Sequence, residues 1–178
     1  ETAPRPQGKA GEPQDEGGRF VAKILGNTED VWKQQFQAQL GKQYAPPRLV
    51  IFSRATRSRC GGASAAMGPF YCPLDQRAYI DLGFYDELSR RLGAKGDFAQ
   101  AYVLAHEIGH HVQNILGTST RVRELQERRP NDANALSVRL ELQADCYAGV
   151  WARHSQQAKQ WLDQSDVEEA LAAASAVG

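Results

Sequence analysis

The sequence predicts an α+β fold in which a small antiparallel or mixed sheet packs on two long helices. Three observations predict it. Stretches 97–117 and 132–154 repeat apolar residues at helical spacing. Runs 48–53 and 78–82 are short and apolar, as strands are. The length of 178 residues, 42% of them hydrophobic, suits a single core.

The start of the chain differs in composition from the rest. Residues 1–18 are rich in Pro, Gly, Gln and charged residues and offer little to bury, so we predict a flexible linker. Residues 19–178 are predicted to form one domain. Lys plus Arg and Asp plus Glu both number 21, so the formal net charge is zero. A chain without a basic field is not expected to bind nucleic acid.

The remaining elements follow from local patterns. We predict a helix at 29–40, a strand at 48–53, a short strand at 78–82 and a helix at 84–92. A last helix is expected to begin with the capping box formed by Ser165 and Glu168, and to serve packing alone.

The helix predicted at 97–117 carries the most informative motif of the chain. Asp97 is its expected N-cap, with Gln100 as capping-box partner. His106 and His110 are four residues apart, so both imidazoles lie on one face of the helix, where they can bind one zinc ion. Glu107 lies beside the first ligand and can take a proton from metal-activated water and pass it to a leaving amine. This pattern predicts hydrolysis of an amide bond.

A zinc hydrolase uses three protein ligands and leaves one position open. We predict Glu141 as the third ligand, because an apolar stripe borders it on the helix predicted at 132–154. Asp145 follows one turn later and is expected to accept the N–H of a ligating ring, that of His106. On sequence distance alone, the acidic residues Glu124, Glu127 and Asp132 compete with Glu141.

Three cysteines bear on the cellular compartment. Cys60 and Cys72 flank a segment of small residues that can fold back as a hairpin, which favours a disulfide and an oxidising compartment. A second zinc site and two reduced thiols are the alternatives. Cys146 remains, either as a small core residue or as a thiol with a partner beyond residue 178.

A second donor to the developing oxyanion would assist the metal, and the sequence does not single one out. The candidates are Tyr71, Tyr147, His111 and His154. His111 directly follows a ligand and points about 100° away from it, which favours a packing or surface role.

Residues 102–114, together with Glu141 and Asp145, resemble a gluzincin-type zinc peptidase. The run from Cys60 to Pro73, followed by Tyr79, Ile80 and Asp81, is similar to the neutral zinc metallopeptidase family of bacterial envelope proteins. The resemblance extends from about residue 19 onward.

The resemblance implies a zincin-like fold with one zinc ion. It also implies an N-terminal membrane anchor, a periplasmic location and a domain that continues past residue 178. In zinc peptidases of this type, a sheet edge above the cleft binds the substrate as an added strand. Segment 62–68, built of small residues, is a candidate for that edge, and a plain hairpin loop is the alternative.

The predicted function is therefore a zinc-dependent peptidase with His106, His110 and Glu141 as ligands and Glu107 as general base. Its partner would be a peptide or protein substrate. One alternative is a catalytically silent or latent zinc-binding envelope protein. The other is a hydrolase that acts on a bond other than a protein amide, such as a cell-wall peptide link.

Overall fold

The computed structural model describes residues 11–64, 68–92 and 97–159. The helices are α1 (Glu16–Leu40), α2 (Leu82–Leu92), α3 (Asp97–Ile115), α4 (Thr118–Arg128) and α5 (Ala133–Lys159), with a 3₁₀ turn at Pro130–Asp132 before α5. The strands are β1 (Arg48–Phe52), β2 (Ala55–Ser58), β3 (Gly61–Ser64), β4 (Phe70–Cys72) and β5 (Arg77–Asp81). The helix predicted to begin at Ser165 lies outside the described residues.

The strands form a small mixed sheet and a separate ribbon. In the sheet the order is β1, β5, β4, with β1 parallel and β4 antiparallel to the central β5. Strands β2 and β3 form an antiparallel two-stranded ribbon. Both strands predicted from sequence are present, within one residue of the expected ends. The α+β class and the mixed sheet are thereby confirmed, although most described residues are helical.

Helix α1 is much longer than predicted. It begins at Glu16, not at residue 29, so residues 16–18 of the predicted linker form its first turn. Asp15 caps this turn, since its carboxylate accepts the N–H of Gly18 at 2.7 Å. Val21 and Ile24 are buried in the core and anchor the early part of the helix. The glycines at 17 and 18 are poor helix formers, and tertiary packing overrides that local preference.

The core forms where α3 packs between α1, α5 and the sheet. Its largest fully buried side chains include Trp151 of α5, Leu104 and Ile108 of α3, and Ile80 of β5. Trp151 also donates its indole N–H to the side-chain oxygen of Asn27, at 2.8 Å, which ties α5 to α1. Helix α3 is therefore held on several sides, a rigid setting for the motif that it carries.

Helix α4 was not predicted from the sequence. None of its residues is buried, so its sequence lacks the apolar stripe from which a helix can be predicted. It follows Gly117, whose left-handed φ of 78° changes the direction of the chain two residues after the end of α3. Helix α5 then returns across α3 and continues five residues beyond the predicted end at residue 154.

The disulfide expected between Cys60 and Cys72 is present, with a Cα–Cα distance of 5.8 Å. Cys60 lies in the turn between β2 and β3, and Cys72 is the last residue of β4. The bond therefore fastens the ribbon to the mixed sheet. Cys146 is exposed, so its interpretation as a small core residue is wrong.

Within the described part of the chain, no helix combines the length and the apolar character that crossing a bilayer would require.

Candidate metal centre

Helices α3 and α5 bring His106, His110 and Glu141 together. The carboxylate oxygen Oε2 of Glu141 lies 3.1 Å from Nε2 of His106 and 3.3 Å from Nε2 of His110. One potential ligand atom from each residue lies within 4.8 Å of the others. Two imidazole nitrogens and one carboxylate oxygen are the donor set of a catalytic zinc site with one open position. The residues therefore fit the ion that the sequence predicts.

The competing carboxylates lie elsewhere. Glu124 and Glu127 are exposed on α4, and Asp132 is exposed in the turn before α5. Among the described residues, His106, His110 and Glu141 form the group of His, Cys, Asp or Glu side chains that could hold a metal ion. The fold thus favours Glu141 over the three alternatives.

His106 is oriented by Asp145. Its Nδ1 lies 2.8 Å from Oδ1 of Asp145, so the ring donates Nδ1–H to the carboxylate and turns Nε2 toward Glu141. Burial lowers the pKa of His106, but the hydrogen bond with Glu141 and the neighbouring carboxylates outweigh it and raise the pKa to about 9. This cluster of negative charge favours a cation at the site, whether proton or metal.

His110 is oriented by a different residue, which the sequence analysis missed. Its Nδ1 lies 2.9 Å from Oε1 of Gln113, one turn further along the same helix. The available signal was the spacing of three residues, which places Gln113 beside His110. Burial alone would lower the pKa of His110. The hydrogen bond with Glu141 and the charge of Glu107 outweigh burial, so the pKa is raised above its ordinary value.

Glu141 is the electrostatic counterpart of the two histidines. Hydrogen bonds from His106 and His110 lower its pKa far below the usual range, so the carboxylate is ionised at neutral pH. An ionised carboxylate and two imidazoles whose Nε2 atoms point inward can exchange their shared protons for a divalent cation.

Glu107 lies in a buried position next to the candidate ligands, with 5% of its surface exposed. Burial raises the pKa of its carboxyl to about 7, against the opposing effect of His110 and His106. The nearby backbone N–H of Tyr71 on β4 acts in the same direction as the two histidines and lowers this pKa. A carboxyl group with a pKa near neutrality can both accept and release a proton at physiological pH, as a general base must.

Two of the oxyanion candidates bind each other instead. His111 is fully buried, and its Nε2 donates to the carbonyl of Ala45 at 2.7 Å. Its Nδ1 then accepts the hydroxyl proton of Tyr71 at 2.7 Å, and Asn114 donates to the same hydroxyl oxygen at 3.1 Å. Burial lowers the pKa of His111, which keeps the ring neutral. The arrangement holds β4 against α3 and agrees with the packing role expected for His111.

The other candidates belong to α5. The ring of Tyr147 packs edge-on against Trp32 in the core, with centroids 5.5 Å apart. His154 lies near the C-terminal end of the same helix, more than three turns beyond Glu141. The structure therefore singles out neither as an oxyanion donor.

The whole chain, residues 1–178, matches a protein family described as “Putative neutral zinc metallopeptidase”. This match confirms the family resemblance that was inferred from the run between Cys60 and Pro73 and from the histidine motif. The chain is 54% identical over 166 residues to “Uncharacterized protein YpfJ” of Escherichia coli (strain K12), covering 93% of this chain and 57% of the relative. It is 44% identical over 171 residues to “Uncharacterized protein Rv2575” of Mycobacterium tuberculosis, covering 90% and 55%.

The chain therefore spans a little over half the length of these curated relatives. No solved structure matches it significantly.

Proposed function

Because the chain belongs to the family described as “Putative neutral zinc metallopeptidase”, we propose that it is a zinc-dependent peptidase with Glu107 as general base. His106, His110 and Glu141 would hold one zinc ion. The observation that carries the proposal is the convergence of these three ligands beside a buried carboxyl whose pKa is raised to about 7. When bound, zinc would polarise the scissile carbonyl and acidify the attacking water.

The protein's own groups supply the proton transfers. Glu107 accepts the proton of the attacking water and then donates it to the departing amine nitrogen. The nearby backbone N–H of Tyr71 favours the ionised form of this carboxyl, which is the form that accepts the proton. Asp145 keeps the ring of His106 aligned with its Nε2 toward the ligand group. Burial of Glu107 excludes bulk water, which would otherwise compete for the proton.

The substrate backbone has a candidate binding edge in β4. Strand β4 lies at the edge of the described sheet with one side paired to β5, and the backbone N–H of its Tyr71 lies close enough to Glu107 to lower the pKa of that carboxyl. An extended peptide laid along that edge would pass next to the general base. This position is better supported than segment 62–68, of which Gly62, Ala63 and Ser64 pair with β2 and the next three residues lie outside the described structure.

The setting that we propose is the periplasmic face of a bacterial envelope. The disulfide between Cys60 and Cys72 suits an oxidising compartment. The partner is a peptide or protein substrate, and the formal charge of zero gives no field for nucleic acid. A membrane anchor, which the resemblance to the envelope family implies, would hold the protein at this face. Trapping free thiols in intact cells tests the location: Cys60 and Cys72 should resist alkylation until they are reduced.

Metal content and peptide cleavage test the function together. Wild type, Glu107→Gln and Glu141→Ala are compared by mass spectrometry for zinc and by hydrolysis of casein and of a peptide library. We expect one zinc per chain in wild type and in an inactive Glu107→Gln, and loss of zinc in Glu141→Ala. Cleavage by Glu107→Gln at the wild-type rate would refute the general base. Zinc without cleavage of any peptide would instead favour the latent zinc-binding protein.

A further inference from the structure

Gln113 is a buried polar side chain that the proposed mechanism does not use. It has no solvent exposure, yet its amide takes part in three hydrogen bonds. The amide nitrogen donates to the backbone carbonyl of Leu140 at 2.7 Å and to Oε1 of Gln143 at 3.0 Å. The amide oxygen lies 2.9 Å from Nδ1 of His110.

The contact with Leu140 determines which way the amide points. A backbone carbonyl only accepts, so the group facing Leu140 must be the NH₂ of Gln113. The oxygen of the amide is then turned toward His110. Because this oxygen also only accepts, Nδ1 of His110 must carry the proton. In the neutral ring, the lone pair consequently lies on Nε2, the atom that faces Glu141.

We propose that Gln113 is a positioning residue for the metal centre: it selects the tautomer of His110 and aligns its Nε2 with the other ligands. The proposal rests on the proposed function, because it assumes that His110 binds zinc. Asp145 orients His106 in the same way, by accepting the Nδ1–H of that ring with a carboxylate oxygen. Gln113 does so with a neutral amide, so it adds no further negative charge to a site that already holds Glu107, Glu141 and Asp145.

The same amide also links the two helices of the site. Leu140, which accepts from Gln113, directly precedes the ligand Glu141 on α5. One side chain thus connects the imidazole of His110 to the backbone beside Glu141. Rotation of the amide would disturb His110 and release the hydrogen bond to α5 together. Gln113 therefore couples the orientation of one ligand to the position of another.

The first test compares zinc affinity in Gln113→Met and in a matched control, Gln126→Met. Gln126 of α4 also bridges to α5, donating to the carbonyl of Ala133 at 3.0 Å and to the hydroxyl of Ser137 at 2.8 Å, but it contacts no ligand. Competition with a chromogenic chelator should show about a 10- to 100-fold weaker zinc affinity in Gln113→Met, as for other residues that orient metal ligands. Gln126→Met should match wild type. Equal affinity in wild type and a folded Gln113→Met would overturn the proposal.

A second variant separates ring positioning from simple helix packing. Gln113→Glu keeps an oxygen that accepts Nδ1–H of His110 but loses both donors to α5. If Gln113 acts through the ring, Gln113→Glu should bind zinc several-fold more tightly than Gln113→Met. Equal losses in the two variants would assign Gln113 to packing and overturn its role at the metal.

Nitrogen NMR of the zinc-loaded wild type gives a reading that needs no variant at position 113. The proposal requires that Nδ1 of His110 carries the proton and that Nε2 binds the metal. Binding through Nδ1 would overturn it, even if Gln113→Met fails to fold.

His110→Ala distinguishes the two levels of the argument. Unchanged zinc affinity in His110→Ala would refute the metal site and the role of Gln113 with it. Loss of zinc in His110→Ala but not in Gln113→Met would refute the role of Gln113 alone.

Discussion

Gly109 of α3 lies against the backbone of Ala144 of α5, with no room for a side chain between them. A Cβ atom on Gly109 would be 2.8 Å from the carbonyl oxygen of Ala144 and 3.2 Å from its Cα. Gly109 precedes the proposed ligand His110, and Ala144 lies between Glu141 and Asp145 along α5. The close approach of the two helices at this point therefore sets the distance across the metal centre.

Substitution of Gly109 by Ala should destabilise the protein and weaken zinc binding. Alanine favours a helix by up to about 1 kcal/mol over glycine. The overlap with Ala144 should outweigh that gain, since overpacking costs about 1–3 kcal/mol and the atoms in the way are backbone. Urea unfolding and zinc titration measure both effects.

Gly149→Ala is the matched control for this prediction, because Gly149 also lies within a helix and a Cβ there would meet nothing within 4 Å. It should raise the free energy of unfolding slightly. A Gly109→Ala protein that gains stability in the same way would contradict the proposed contact.

Asp145→Ala should weaken zinc binding about 10- to 100-fold while leaving the protein folded. The ring of His106 would lose the acceptor at 2.8 Å that sets its orientation. Asp132→Ala removes an exposed carboxylate from the turn before the same helix and should leave the affinity unchanged. Competition with a zinc chelator compares the zinc affinities of the two variants. Similar affinities would show that Asp145 does not orient a ligand.

Reduction of the disulfide between Cys60 and Cys72 should lower the free energy of unfolding by about 2–3 kcal/mol, because the bond closes a short loop in the unfolded chain. Urea unfolding with and without a phosphine reductant measures the difference. The experiment is best done in Cys146→Ser, since Cys146 is an exposed free thiol that could exchange with the disulfide. Identical curves would mean that the bond does not constrain the unfolded state.

Buried tyrosines should make the protein sensitive to alkali. Burial raises the pKa of Tyr79 and Tyr102 to about 12, from an ordinary value of 10.0. Because the folded value is the higher one, the stability that these groups contribute is fully present below pH 10 and is lost as pH rises toward 12. Unfolding free energies between pH 8 and 11 should therefore fall above pH 10.

Tyr79→Phe provides the check on this prediction. It removes the hydrogen bond from the hydroxyl to Asp75 at 2.6 Å, so it should cost about 1 kcal/mol at pH 8. It should also make the decline above pH 10 shallower, because one titrating group is gone. A decline as steep as in wild type would assign the effect to other residues.

Local patterns were sufficient for the part of the site that lies on one helix. The spacing of His106, Glu107 and His110 places two imidazoles on one face, and any α-helix has that geometry. The strands β1 and β5 and the helices α3 and α5 were likewise predictable, since each buries a recognisable apolar pattern. Family membership was also readable from short runs of the sequence.

Other features depended on contacts between distant parts of the chain. Helix α1 extends back to Glu16 because Val21 and Ile24 pack into the core, although the local composition favours a linker. Helix α4 has no buried residue and hence no apolar pattern from which to predict it.

The sequence by itself determined the chemistry of the centre: which residues can bind zinc and which can move a proton. Only the tertiary structure decided their mutual arrangement. Glu141 stands opposite the histidines because α3 and α5 meet at Gly109 and Ala144. Gln113 of α3 forms hydrogen bonds with both His110 and the backbone of Leu140 on α5. Hydrogen bonds and close contacts across elements depend on packing, and a linear pattern of residues does not contain those distances.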